Sequence, residues 1–236
     1  LPGVDSYSGA FGTTVNDARL SGGLILLTVT GTFNMDGKSS VQPTSMGTVN
    51  GCGAINVRAG RLTGKGSLSA SANGSHSPGI VAVRLTEPGA TFADFTGSIT
   101  ANRAGGSNGL IYRQTAADGE GGGTLTLNGS NTTVPIQLPA AGYGSDGKKG
   151  LARTKVSFVN GGKAEATVNS VKLGEVSLPA DCTLNLADKT VKVQHRATFG
   201  EETFKEGTFT SSTTPDFLTN DGRLVIGVWG LSVFVR

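Results

Sequence analysis

The sequence predicts an all-β protein, a β-sandwich or Greek-key barrel of the immunoglobulin-like or jelly-roll kind with long glycine-rich loops. Three observations predict it. Glycine supplies 37 of the 236 residues, whereas aromatics are 6% and charged residues 16%. With abundant Thr, Ser and Val, that profile suits short strands and tight turns rather than helices. Apolar residues seldom recur at i, i+3, i+4 and i+7 without an intervening glycine, so no helical span is predicted. Roughly twelve to fifteen short alternating segments follow one another at spacings of about ten to fifteen residues, divided by turn signals. No internal repeat stands out, so neither a propeller nor a solenoid is expected.

Residues 1–23 are rich in Gly and Ser, with isolated apolar residues at Val4, Tyr7, Ala10 and Phe11. They read as an extended N-terminal arm preceding one domain, 24–236. Leu1-Pro2-Gly3, with no initiator Met, reads as the start of a processed or trimmed chain. Leu24 to Phe33 is the first clear strand, with Ile25, Leu27, Val29 and Phe33 on one face and Thr28, Thr30 and Thr32 on the other. Short strands follow near Thr48–Val49, Ala54–Val57, Ser67–Ala70 and Ile80–Leu85. The mixed alternation of Thr91–Thr100 is a weaker strand.

Leu110–Thr115 is a strand, and Ala116 to Gly123 (AADGEGGG) is the segment most suited to a flexible loop tip. Thr124–Leu127 and Thr132–Leu138 read as a hairpin across Asn128–Asn131, and Pro135 places its second arm at an edge. After a polar loop, Ala140–Gly150, come strands at Lys155–Val159, Ala164–Leu173, Cys182–Leu186 and Thr190–Gln194. Asn160-Gly161-Gly162 and Asp188-Lys189 read as hairpin turns between them. Phe199, Phe204 and Phe209 are five apart, which fits separate short strands. The chain closes on Arg223–Arg236, a predicted central strand. Val225, Trp229, Leu231, Val233 and Val235 share one apolar face, and Leu224, Ile226, Val228 and Phe234 the other.

No catalytic, metal or cofactor site is predicted. His76 and His195 lack an acidic neighbour in sequence, and no nucleophile-elbow, P-loop, EF-hand or zinc-protease motif occurs. Asp118 with Glu120, and Glu201 with Glu202, are the candidate carboxylate pairs, and both read as surface charges. A candidate ligand loop gathers Asp118, Glu120, Tyr143 and Asp146. Cys52 and Cys182 have no metal-ligand spacing and are expected to form a disulfide, which implies an oxidising compartment. The sequons at Asn73, Asn128 and Asn131 sit in turn-like contexts compatible with the surface. Twenty basic against 17 acidic residues give a net charge of +3, without a dense basic block or interleaved aromatics, so no nucleic-acid partner is expected. No run of about twenty apolar residues is present, so no membrane-spanning helix is expected.

In composition, N-terminal arm and alternating C-terminal strand (LSVFV) the chain resembles bacterial fimbrial subunits. The resemblance implies a β-sandwich subunit that polymerises with copies of itself by donor-strand exchange, is exported to the cell surface and serves attachment to a host glycan or protein. Val4, Tyr7 and Phe11 of the arm and Val225, Trp229, Leu231, Val233 and Val235 of the last strand are the candidate assembly residues. The alternatives are a viral capsid or tail structural protein and a secreted carbohydrate-binding or adhesin module.

Overall fold

Strand follows strand along this chain, yet consecutive strands seldom pair with one another. The structure, a computed structural model, describes residues 24–40, 53–71, 79–101, 109–129, 136–138 and 151–227. In its first part the strands are β1 (Leu24–Asn34), β2 (Lys38–Ser40), β3 (Ala54–Thr63), β4 (Ser67–Ser69), β5 (Ile80–Leu85), β6 (Ser98–Thr100) and β7 (Gly109–Gln114). β1, β3, β5 and β7 pair side by side in parallel, and β2, β4 and β6 form a second parallel sheet. The chain therefore winds as a coil. Leu24 lies beside Ala54, Ala54 beside Ile80, and Ile80 beside Leu110.

The second part repeats the device. Its strands are β8 (Thr124–Asn128), β9 (Ile136–Leu138), β10 (Lys155–Val159), β11 (Lys163–Ala166), β12 (Val171–Leu178), β13 (Thr183–Asn185), β14 (Lys189–Phe199), β15 (Glu202–Phe204), β16 (Gly207–Phe209), β17 (Leu218–Thr219) and β18 (Gly222–Ile226). β8, β10, β12, β14 and β18 run parallel in one sheet, and β9, β11, β13 and β17 in another. The fold is a parallel β-solenoid of about 5 turns, which replaces the expected sandwich or Greek-key barrel. The reason lies at the turns. Asn160 and Asp188 adopt left-handed backbone, φ 53° and 60°, as Asn and Asp can. They make corners that send the chain between sheets, so β10 pairs with β8 and β12 rather than with β11. Likewise β9 pairs with β11, not with β8, so the hairpin expected across Asn128–Asn131 is not formed.

Stacked turns make the core. Ile55, Val81 and Ile111 stand in register across β3, β5 and β7, and Leu125, Val156, Val176 and Ala197 across β8, β10, β12 and β14. Each fully buried Val, Leu, Ile or Phe contributes about 1.5–3 kcal/mol of transfer free energy. Ala164, Leu184 and Leu218 line up likewise in the smaller sheet.

The two coils meet where β7 and β8 pair antiparallel, Leu110 beside Leu127 and Tyr112 beside Leu125. Strand direction reverses there, and so does the buried face. Val81, Val83, Leu85 and Ile111 belong to the first core, while Ala82, Leu110 and Tyr112 belong to the second. Alternate side chains of one strand point to opposite faces. The two cores thus lie on opposite faces of one continuous sheet. Reversing both strand direction and face leaves the sense of winding unchanged, so both coils have the same hand. Gly109 begins the joint with no room for a side chain, because a Cβ there would run into the Ala101 carbonyl.

At the far end β15 folds back on β14 and β16 pairs antiparallel with β18. Phe199, Phe204, Phe209 and Phe217 meet there with ring centroids 4.9–5.9 Å apart, in tilted and edge-on contacts. The last described strand, β18, pairs with β14 on one side and β16 on the other, but only one of its faces is buried where the sequence predicts cover on both. Leu224 is buried, while Val225 faces outward beside Lys192. Trp229, Leu231, Val233 and Val235, like Val4, Tyr7 and Phe11, lie outside the described residues. Thr91–Thr100 is a short 3-10 helix at Phe92–Asp94 followed by β6, not one strand. The Cys52–Cys182 bridge is not formed. Cys182 is a free thiol, fully buried, donating to Asp181 Oδ1 at 3.3 Å, and Cys52 lies outside the described residues. Burial, with the Asp181 carboxylate beside it, pushes the Cys182 pKa up to about 11.

Candidate functional site

Because Val156, Val176 and Ala197 point into the second core, their neighbours on either side in sequence point out. In-register pairing lines these neighbours up in rows. Thr124, Lys155, Glu175 and Arg196 form one row, and Thr126, Ser157, Ser177 and Thr198 the next. Thr198 Oγ1 lies 3.0 Å from Thr203 Oγ1 on β15, which extends the hydroxyl row to a fifth strand. Neighbouring strands of a sheet are about 4.8 Å apart, so the row is a ladder of hydroxyls at that repeat. Further along the same face Lys172 stands beside Lys192, and Arg223 Nε donates to Thr190 Oγ1 at 3.3 Å.

A bulge divides the rows. Leu173 pairs with Val193 and Glu175 with Arg196, so Gly174 opposes two residues, Gln194 and His195. The Gly174 and Glu175 amides both donate to the Thr154 carbonyl, at 3.0 and 3.3 Å. A Cβ at 174 would lie 2.6 Å from the Arg153 carbonyl carbon, so the bulge needs glycine. Its effect is to expose Gln194, His195 and Arg196 in succession.

Beside the bulge opens a shallow polar cleft of about 240 Å³, lined by Asp118, Arg153, Lys155, Glu175 and His195 with the 122–124 backbone. One wall is the glycine-rich loop that sequence alone reads as a flexible tip. It is instead tied down. Tyr112 donates its hydroxyl to the Gly122 carbonyl and Gln114 its amide to the Gly119 carbonyl, both at 2.5 Å. Thr154 Oγ1 donates to the Gly121 carbonyl at 2.8 Å. Asp118 closes the loop's 3-10 helix (Ala116–Asp118), accepting from Thr115 N at 2.6 Å and Thr115 Oγ1 at 2.9 Å. Glu175 accepts from Arg196 Nε at 2.9 Å. Both carboxylates of the cleft are thus engaged by neighbours. The arrangement offers hydrogen-bond donors, hydroxyls and charge to a ligand lying across the strands.

Of the predicted ligand loop, Asp118 lines the cleft and Glu120 is exposed on the same turn, while Tyr143 and Asp146 lie outside the described residues. Asn128 is not a surface sequon. It is buried at the end of β8 and accepts from Asn160 Nδ2 at 2.8 Å. Asn73, Asn131 and His76 lie outside the described residues, Glu201 is exposed in the turn between β14 and β15, and Glu202 is exposed at the start of β15.

The sequence carries a signal for this face in four short segments. Thr124–Leu127 (TLTL), Lys155–Phe158 (KVSF), Glu175–Leu178 (EVSL) and Arg196–Phe199 (RATF) share one pattern: polar, apolar, hydroxyl, large apolar. These four segments are the four paired strands. No three His, Cys, Asp or Glu side chains cluster as a metal site among the described residues. No helix there is long and apolar enough to cross a membrane. Compared with family models, curated proteins and solved structures, the chain matches none.

Proposed function

We propose that this chain is an extracellular attachment module, a rigid β-solenoid whose second coil presents its outer sheet face to an extended carbohydrate. The observation that carries the reading is the in-register hydroxyl row Thr126, Ser157, Ser177, Thr198 and Thr203 beside the charged row Lys155, Glu175 and Arg196. Hydroxyls both donate and accept, which matches the hydroxyls of a sugar chain. Their spacing is set by backbone pairing, so the platform is organised before ligand arrives and little ordering entropy is lost on binding. The attachment role follows the expected surface function, now on a solenoid scaffold. The test is calorimetric titration with a panel of soluble polysaccharides, neutral and acidic. The wild-type chain binds at least one of them, and the double variant Ser157→Val, Ser177→Val binds it at least about tenfold more weakly, the loss of two hydrogen bonds. Equal affinities, or no binding across the panel, contradict the reading.

A second reading is a self-assembling structural subunit. It is favoured by β1, which pairs only with β3 among the described residues and leaves Leu26 65% exposed. Edge strands of this kind recruit further strands. Negative-stain microscopy across a concentration series distinguishes it: filaments support it, and monomers at every concentration contradict it.

A further inference from the structure

We propose that the polysaccharide recognised by the outer face of the second coil is anionic, carrying a carboxylate or sulfate at regular intervals. This rests on the attachment reading above and names its ligand class. The outward positions of β10, β12, β14 and β18 hold Lys155, Lys172, Lys192, Arg196 and Arg223, against the single carboxylate of Glu175. That face therefore carries more positive charge than the whole chain, whose net charge is +3. The cations are also placed side by side. Lys172 is the in-register neighbour of Lys192, and Arg223 sits beside Thr190, two residues before Lys192 on β14.

Geometry favours a polysaccharide over a nucleic acid. Single-stranded nucleic acid is held largely by stacking on aromatic side chains. The outward residues of these strands are Thr, Ser, Lys, Arg, Val, Glu and Gln with a single imidazole, His195, and the Phe and Tyr rings described in the second coil pack in or against its core. The hydroxyl row and the Lys172–Lys192 pair lie on the two sides of the bulge, separated along the strand by five residues (172 to 177). That is roughly 16 Å at the usual rise per residue. A sugar chain crossing the strands would meet hydroxyls on one flank and ammonium groups on the other. The Arg196 guanidinium, although paired with Glu175, keeps half its surface exposed for a second anion.

The experiment compares dextran sulfate, neutral dextran and a short DNA duplex as ligands for the full chain, by calorimetry at several salt concentrations. Dextran sulfate binds, weakens as salt is added, and binds about tenfold more weakly to the triple variant Lys172→Gln, Lys192→Gln, Arg223→Gln. The control variant Lys38→Gln, Lys65→Gln, on exposed positions of the first coil, keeps wild-type affinity. An equal loss in the control would mean net charge alone and would overturn the proposal. Equal binding of neutral dextran would overturn it while leaving the attachment reading standing. Absence of binding to either dextran would count against both. Duplex DNA bound as tightly as dextran sulfate, with the same loss in the triple variant, would replace the polysaccharide with a nucleic acid. Unchanged circular dichroism and melting of both variants confirm that the comparison is between folded proteins.

Discussion

The two coils use the same device but close it differently. In the first, the turns bring residues 24, 54, 80 and 110 into line, so each turn carries a long excursion. In the second, Lys155 to Glu175 and Val171 to Val191 are turns of only 20 residues, although Thr124 to Lys155 and Lys189 to Gly222 take 31 and 33. Phe158, Leu178, Val191 and Val193 are completely buried. The far end of the second coil is sealed by its own returning strands and four phenylalanines. Among the described residues the near end of the first is β1, whose Ile25, Leu27, Val29 and Phe33 are only partly buried. In a solenoid each turn is covered by its neighbours, so a terminal turn keeps a core only if something folds over it. The contrast places the better sealed end of the molecule in the second coil.

The sharpest way to break this contrast is to remove one ring from each coil. Phe158→Ala should lower the unfolding free energy by about 3–5 kcal/mol, and Phe33→Ala by about 1 kcal/mol, in denaturant titrations. Equal losses would mean that the coils are equally packed. Next comes the joint. Gly109→Ala should cost about 3 kcal/mol, because its methyl has no space against Ala101, whereas Gly31→Ala, with nothing within 4 Å, should change stability by less than about 1 kcal/mol. A smaller effect is expected at the seal. Phe209 is part of the ring cluster yet only partly buried, so Phe209→Ala should cost about 1–2 kcal/mol and raise hydrogen exchange over β14 to β18 alone.

The fully buried Cys182 gives a pH-dependent test. Its folded pKa is raised to about 11 from the ordinary 9.0. The neutral thiol is therefore the form the folded chain favours. Its contribution to stability is complete below about pH 9 and is lost as the pH rises through about 11. At pH 8 a thiol reagent should label Cys182 only after denaturant is added, read by mass spectrometry of the peptide containing it. Labelling of the native chain at the unfolded rate would contradict its burial. The smallest effect is expected on the outer face of the second coil. Glu175→Gln breaks a half-exposed ion pair and should change stability by no more than about 1 kcal/mol.

Much of the secondary structure was legible because strand alternation is local. Ile80–Leu85 and Lys155–Val159 are strands with the bounds that alternation predicts, and the inward face of Leu24–Phe33 is the predicted one. The pairing was not legible, because it is a property of turn length. The four TLTL-like segments begin at 124, 155, 175 and 196, so their spacings are unequal and no fixed period signals a coil. Asn160-Gly161-Gly162 carries a hairpin's residue types and makes a corner between sheets, because left-handed residues serve both. The aromatic seal was half visible. Phe199, Phe204 and Phe209 do fall on separate strands, but only the fold shows that they meet Phe217. Of the candidate site, Asp118 was singled out by its loop, while Lys155, Glu175, His195 and Arg196 are scattered over 42 residues and are united by register alone.

The rows on the outer face of the second coil depend on that register. The most direct test is amide-to-amide nuclear Overhauser spectroscopy on the isotope-labelled chain. The account predicts contacts joining Ser157 to Ser177 and Ser177 to Thr198, between strands 20 and 21 residues apart in parallel. Contacts pairing Lys155–Val159 with Lys163–Ala166 in antiparallel order, as a hairpin at Asn160-Gly161-Gly162 would give, would contradict the solenoid and dissolve the face with it.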